Sequence, residues 1–450
     1  MPPSLVRNWS ADRERFLLRY DHGMALPPAQ SKVLTFEDAR RVVEEQAREI
    51  SPNASEIVDL LPASGRVLAE AITADRDIPP FPRSTRDGYA VHAADLAVLP
   101  AKLTVVGEIK AGPQLGKAEP ALNRGEAVSI MTGAPVPPGG DAVVMIEYTS
   151  LRGNCVEITK SIVKGENIVA QGAEAGCGSL LLDRGTKLNE AAIALAASVG
   201  KARLQVFVRP HIAVLTTGDE IVEIDAGIDR TQIRNSNSYS LAVQIQQAGA
   251  VPVLLPIAPD EPRRLRELIE HGLQSDLLLM TGGVSMGRYD LVEPVLLDMH
   301  AEFFFTGAKI QPGRPVVFGR IPGGARAPAR EGISAPRAHK YFFGLPGNPL
   351  STMVTFELFA RPMLEALAGM TLRPLAFLHA RLKSDIHAKT GLKRFLPAIL
   401  SGEYENSQVE LVAWQGSGDI AARSRSNCLI VLPPDREHIP AGDWVAVMPR

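Results

Sequence analysis

The sequence predicts a multidomain α/β protein: a three-layer α/β domain accompanied by two β-rich domains and a small mixed, largely helical domain. Three observations predict it. From residue 209 onward, apolar runs alternate with helical patterns (HIAVLTT, a helix over 238–248, VPVLLPI, a helix over 261–273, then DLLLM), the order of a doubly wound parallel sheet. Two further stretches, 78–168 and 372–450, consist of short strand-like runs punctuated by Pro and Gly. A chain of 450 residues is also too long for one core, at roughly 100 to 200 residues per domain.

Taken in order, residues 1–34 mix Arg, Pro and Gly without periodicity and read as an appended arm. Thr35 then opens a helical pattern, FEDARRVVEEQAREI, with Asp38 placed as in a capping box and Phe36, Ala39, Val42, Val43 and Ala47 near helical spacing. The runs PPFPRSTRDGYAV, LTVVGEIKAG and EAVSIMTGAPVPPGGDAVVMIEY predict a small β domain over 78–168. Residues 171–200 return to turn and helix, closed by Gly200, and are expected to pack with the first helix. That makes a discontinuous helical and mixed domain of 35–77 and 169–208. Beyond DLLLM come FFFTGAKI, PVVFGRI, YFFGL and the helical PLSTMVTFELFARPMLEALAG, which close the α/β domain of 209–371. Residues 322–340, rich in Pro, Ala, Gly and basic groups, read as a solvated insertion within it. Strands such as LIVLPP and DWVAVMP make 372–450 a C-terminal β-barrel-like domain.

Lys and Arg total 48 against 50 Asp and Glu, a net charge of -2. Nothing here resembles the basic face that phosphate neutralisation on nucleic acid requires. Cys155, Cys177 and Cys428 are too scattered for a disulfide framework or paired zinc ligands, which fits a reducing cytoplasm. No apolar run has the length of a signal-peptide core or a membrane span, so the expectation is a soluble cytoplasmic protein.

Polar groups gather in loops at strand ends. TGGVSMGRYD, residues 281–290, follows the buried run DLLLM and precedes a helical stretch. Its glycines let backbone N–H groups approach an anion at the carboxyl edge of a sheet, and the same residues also read as a plain strand-to-helix turn. TTGDE, residues 216–220, closes the first strand of the domain, and Asp219 with Glu220 could hold Mg²⁺ or serve as a solvated helix-capping turn. GLPGNP, residues 344–349, opens a helix, where the dipole favours an anion and the prolines equally suit a structural turn. STRDGYAV, residues 84–91, and Thr132 in SIMTGAPVPPG lie in the β-rich stretch and read as turns or as site residues.

Together, FPRSTRDGYAV, SIMTGAPVPPGGDAVVMIE, TTGDE, TGGVSMGRYD, QPGRP, GLPGNP and QGSGDIAARSRSNCLIVLP occur in an order that resembles the molybdopterin molybdenumtransferases, the molybdenum insertase family to which the C-terminal domain of gephyrin is related. The likeness covers roughly residues 35–450 and makes the α/β domain a molybdopterin-binding one. It implies transfer of molybdenum from molybdate to the dithiolene of adenylylated molybdopterin, with release of AMP and a need for Mg²⁺. It implies a homodimer too, with the site between the α/β domain of one subunit and the DGYA-bearing domain of the other. Molybdopterin adenylyltransferase and apo-molybdoenzymes are the implied protein partners. By matching motif, Asp87, Thr132, Glu220, Asp276 and Asp290 are the implied catalytic positions. Thr217, Gly218, Gly282, Gly283, Ser285, Lys309, Arg314, Pro346, Gly347, Asn348 and Ser417 are the substrate-binding ones, and Asp219, Glu220 and Asp290 the metal ligands.

Several cationic positions depart from the family pattern. Gln311 stands where a lysine often precedes PGKP, Gly307 where another lysine is expected, and Pro397 where an arginine follows Phe395. IVAQGAE retains Glu174 but lacks the usual arginines. These departures keep two other readings open: a divergent paralogue that binds molybdopterin or nucleotide without inserting metal, and an interaction scaffold.

Overall fold

The computed structural model describes residues 32–449 apart from 53, 113–120, 284–289, 323–338 and 404. Its largest core surrounds a six-stranded sheet in the order Val251–Leu254, His211–Thr216, Leu277–Thr281, His339–Leu345, Val317–Pro322, Glu302–Phe305. The first four strands are parallel, and the last two are added antiparallel. Alternation along each strand explains the unbroken apolar runs. Ile212, Val214, Leu277 and Leu279 face the helix Asn237–Gln247 and the closing helix. Ala213, Leu215, Leu278 and Met280 face Pro262–Gly272 and Val292–Asp298. Because both faces are covered, both sets of side chains are apolar, and the expected three-layer domain forms.

The first helix, Phe36–Arg48, begins as its capping box predicts: the Asp38 N–H donates to Thr35 Oγ1 at 3.1 Å. Its partner differs from expectation. Phe36, Ala39, Val43 and Ala47 join the core of the α/β domain, and the Phe36 ring lies 6.0 Å from Phe359 and 5.1 Å from Phe395. The cluster around the helix Glu190–Ser198 instead draws on Ala63, Leu68, Ile72, Leu204 and Val206. Helical spacing defines an apolar face but not the surface that covers it. Val33–Leu34, counted with the arm, is a strand that pairs in parallel with Gly307–Ala308.

The closing helix runs Pro349–Thr355, through a π turn at Phe356–Ala360, into Arg361–Leu367. Pro362 has no N–H to give the Leu358 carbonyl four residues earlier. That carbonyl accepts from Arg40 Nη1 at 2.6 Å, in a buried bond that ties the first helix to the turn.

The β-rich segment forms a six-stranded sheet in the order Ala142–Met145, Gly88–Val91, Glu126–Ile130, Ala101–Ile109, Cys155–Ile158, Thr149–Arg152. The mixed segment is held by the ribbon of Ser55–Asp59 with Arg203–Phe207 and by the pairing of Ile72–Thr73 with Leu180–Leu182. At the C-terminus, Lys393–Ser401, Gln408–Leu411, Leu378–Leu382, Trp444–Pro449 and Cys428–Leu432 pair in succession, and the last returns to the first. The sheet therefore closes as a barrel, with no edge among these five strands. Ile310–Gln311 adds to the barrel from the α/β side. Of the expected insertion at 322–340, Pro322, His339 and Lys340 lie in strands, and the residues between fall outside the described ones. Among the described residues no helix is long and apolar enough to cross a membrane.

Candidate active site

Parallel pairing aligns Thr216 with Thr281 and Thr281 with Leu345, so the three loops that follow these strands emerge at one carboxyl edge. They pack backbone to backbone. The Thr217 N–H donates to the Thr281 carbonyl at 3.0 Å and that of Gly282 to the Leu345 carbonyl at 3.4 Å. Gly282 has φ +89°, and a Cβ there would stand 2.5 Å from the Thr217 carbonyl oxygen. A Cβ on Gly283 would meet Thr217 Oγ1 at 2.9 Å, and one on Gly347 would lie 3.5 Å from the Gly282 Cα. At Gly282 and Gly283 only glycine permits turns this close, while at Gly347 a side chain would make ordinary contact.

Asn237, at the start of its helix, ties two loops together by donating from Nδ2 to Thr281 Oγ1 at 2.9 Å and to the Gly347 carbonyl at 2.7 Å. The Pro346 carbonyl accepts from the Thr281 and Thr352 hydroxyls. Asn348 caps the closing helix, where the Leu350 N–H donates to the Ser417 carbonyl at 3.0 Å and so brings the C-terminal domain to the loops. Two buried polar atoms in this network, Thr217 Oγ1 and Asn237 Oδ1, have no hydrogen-bond partner among the described residues. Thr217 is only 4% exposed, so its hydroxyl is largely withheld from water as well. An orphaned group of this kind costs about 1–3 kcal/mol and marks a place that a ligand atom can fill.

Carboxylates rim the same edge. Asp219 Oδ1 accepts from the Asp260 N–H at 3.0 Å, and a Cβ on Gly218 would lie 2.5 Å from Glu220 Oε2. Burial, and then the charges of Asp219, Glu220 and Asp290, push the Asp260 carboxyl above its ordinary range. Four carboxylates thus share one electrostatic field, which favours a cation. The sequence reading missed Asp260. It lies in the loop after Val251–Leu254, a parallel neighbour in the sheet, and its DEP context reads as a helix start. Ser285 lies outside the described residues.

Asp276 stands apart from these loops. Its carboxylate accepts from the His211 N–H at 2.8 Å, and its own N–H donates to the His211 carbonyl at 2.8 Å. Both residues stand at the amino ends of parallel strands. Five residues of strand at ~3.3 Å each put Asp276 about 16 Å from Thr281 at the carboxyl edge, and its carboxylate bonds the neighbouring strand at the amino edge.

Lys309 and Arg314 are exposed on the segment that leads into the barrel. The Lys309 backbone bridges the Leu34 carbonyl and the Lys393 N–H. The Gly313 turn beside Arg314 packs on the closing helix, with Thr355 Cγ2 only 2.3 Å from a Cβ placed there. Two departures from the family pattern acquire a physical setting. A Cβ on Gly307 would meet Val33 at 3.1 Å and the Arg314 carbonyl at 3.2 Å, a confined position beside the short strand. Gln311 Oε1 accepts from the buried Arg394 Nε at 2.7 Å, so a guanidinium stands beside the position where a lysine was expected. Glu174 pairs with Arg83 at 3.0 Å.

Asp87 and Thr132 stand on the other six-stranded sheet, at the ends of adjacent antiparallel strands. Asp87 Oδ1 accepts from the Thr132 N–H at 2.6 Å and from its hydroxyl at 2.9 Å, two bonds that hold the carboxyl below its ordinary range. Gly88 is required next to it because a Cβ would fall 1.8 Å from the Val144 carbonyl oxygen. The structure thus forms two clusters, one on each sheet.

Comparison with known proteins accounts for nearly the whole described chain. Residues 34–200 match the MoeA N-terminal region (domain I and II), 213–366 a probable molybdopterin binding domain, and 379–449 the MoeA C-terminal region (domain IV). A molybdopterin molybdenumtransferase from Nostoc is 34% identical over 408 residues, covering 88% of this chain and 89% of its own. One from Haemophilus influenzae is 30% identical over 424 residues, covering 93% and 98%. A solved molybdopterin biosynthesis moeA protein from Pyrococcus horikoshii superposes with a TM-score of 0.72 at 27% identity, over 93% of this chain and 100% of that one. With this coverage, three loops meeting at one sheet edge and a closed C-terminal barrel, the chain belongs to the molybdopterin molybdenumtransferase family, transferases of molybdenum cofactor biosynthesis.

Proposed function

We propose that this chain transfers molybdenum from molybdate to the dithiolene of adenylylated molybdopterin, releases AMP, depends on Mg²⁺ and works as a cytoplasmic homodimer. The observation that carries the reading is the glycine-turn cluster, with a Thr217 hydroxyl that has no partner among the described residues, beside four carboxylates. Gly218, Gly282, Gly283 and Gly347 let the loop backbone come close to phosphate oxygens, and Thr217 Oγ1 and Asn237 Oδ1 have no partner among the described residues. Pro346, Asn348 and Ser417 set the start of the closing helix against these turns.

The donor type suits a hard cation, because all four groups are carboxylates and their charges act together on Asp260. Among the described residues no three of their ligand atoms stand within 4.8 Å of one another, so Mg²⁺ and substrate phosphates would have to draw them together. Asp219, Glu220 and Asp290 would hold Mg²⁺, with Asp260 as a fourth group at the rim. An ion held there would supply positive charge to phosphate oxygens where the phosphoanhydride opens. Asp87, kept ionised by Thr132, would face the transfer point from a partner subunit, which gives a role to the cluster on the second sheet. Free thiols at Cys155, Cys177 and Cys428 suit a cytoplasmic setting. Substrate arrival from molybdopterin adenylyltransferase and delivery to apo-molybdoenzymes belong to the same proposal.

Purified protein given adenylylated molybdopterin, Mg²⁺ and molybdate should release AMP and yield a cofactor that activates an apo-molybdoenzyme. Asp290→Ala should reduce AMP release by at least about a hundredfold, as expected when an electrostatic group at a reacting phosphate is removed. Tight binding of the adenylylated substrate without AMP release at saturating molybdate would overturn the transferase reading. It would leave the binding paralogue, which the altered cation positions at Gly307, Gln311 and Pro397 favour.

A further inference from the structure

We propose that Asp385, His387 and His438 form a second metal site, on the C-terminal domain, for a divalent transition ion of the zinc type. Ile386–His387 pairs antiparallel with His438–Ile439, so Ile386 stands opposite Ile439 and His387 opposite His438. The isoleucines are buried in the barrel core, 5% and 1% exposed, and they fix the pair in register. Alternation along the strands then projects both imidazoles to the outside, where their rings stack 4.4 Å apart and 8° from parallel.

The third donor comes from the residue before this pair. Asp385 Oδ1 accepts from the Ala441 N–H at 2.9 Å, which leaves Oδ2 directed at His438 Nε2, also 2.9 Å away. One potential ligand atom from each of the three residues lies within 4.8 Å of the other two.

Such a set differs in kind from the carboxylate rim of the active site. Imidazole with a single carboxylate suits Zn²⁺, Ni²⁺ or Cu²⁺, whereas Mg²⁺ prefers oxygen ligands and keeps its water. A zinc-type ion bound to Nε2 and Oδ2 takes the place of the proton between them. With metal–ligand distances near ~2.1 Å and tetrahedral angles, the 2.9 Å separation widens by about 0.5 Å, and the His387 ring turns out of its stack on His438 to aim a nitrogen at the same ion. The Ala441 N–H anchors the carboxylate much as outer-shell partners orient metal ligands elsewhere. Three protein donors leave a coordination position for water or for a donor from another molecule. The bound ion would clip the two short strands together at the rim of the barrel.

The test uses tag-free, full-length protein with Mg²⁺ held in excess throughout. Titration calorimetry with Zn²⁺ should reveal one saturable site per chain that Mg²⁺ does not displace. In His387→Gln and His438→Gln that site should weaken at least tenfold, while melting temperatures without metal stay unchanged. Co²⁺ added to the wild type should produce a visible absorption spectrum with imidazole ligation, and the double variant should lose it. Zn²⁺ binding of equal affinity and stoichiometry in the double variant would overturn the proposal. So would displacement of the bound Zn²⁺ by millimolar Mg²⁺, or a Co²⁺ spectrum that survives the loss of both histidines.

Discussion

The Thr217 hydroxyl illustrates how a site residue can oppose stability. It is buried among glycine turns with no hydrogen-bond partner among the described residues, so Thr217→Val is expected to raise unfolding free energy by about 1 kcal/mol while weakening binding of adenylylated molybdopterin. Urea denaturation and substrate titration on the same variant check both halves, and a variant that loses stability without losing affinity would assign the hydroxyl to the fold. Asp260 makes a related case in electrostatics. Its folded carboxyl holds a proton more tightly than the ordinary 3.8 of an aspartate, so ionisation costs stability as pH rises through that range. Asp260→Asn should therefore be more stable than wild type at neutral pH, with the advantage fading as pH falls through the raised folded value and gone once pH is below the ordinary 3.8. Mg²⁺ should raise the wild-type melting temperature more than that of the variant. Asp219 and Glu220 were legible because they directly follow an apolar strand. Asp260 was not, since its loop reads as the start of a helix, and the place of Asp276 at the start of its strand was legible while its role came only from the motif.

Among the elements, the first helix shows what patterning leaves open. Its cap and its apolar face at Phe36, Ala39, Val43 and Ala47 follow from spacing, yet the face packs on the closing helix and not on Glu190–Ser198. Arg40 adds a specific reason for that choice, because its guanidinium serves the carbonyl that Pro362 leaves without an N–H. Arg40→Met is expected to cost about 1.5–3 kcal/mol, the range for losing a hydrogen bond to a charged group, measured as a shift in the urea midpoint. A shift below about 0.5 kcal/mol would mean that the π turn satisfies the Leu358 carbonyl by itself. The short strand Gly307–Ala308 is likewise decided by contact, since Val33 occupies the space beside Gly307.

In the molecule as a whole, the two polar clusters belong to different sheets, and the proposed dimer unites them across subunits. If Asp87 of one subunit serves Asp290 of the other, inactive Asp87→Ala and Asp290→Ala proteins should complement when mixed and allowed to exchange. Half of the dimers would then be mixed, each with one intact site, so roughly a quarter of wild-type AMP release should return. No recovery after demonstrated exchange, or a monomeric mass in solution, would confine the site to one chain. The sequence by itself determined the three-layer α/β domain, the two β-rich modules and the family, because alternation, Pro/Gly punctuation and ordered loop motifs are local properties of the chain. It also determined which loops carry glycines and carboxylates. Only the tertiary structure decided where the first helix packs, that the C-terminal sheet closes on itself, that Asp260 joins the acidic rim, and that Asp276 bonds His211 on the neighbouring strand. Each of those depends on contacts between residues far apart in the chain, and local periodicity carries no information about which distant surface will exclude water from a given face.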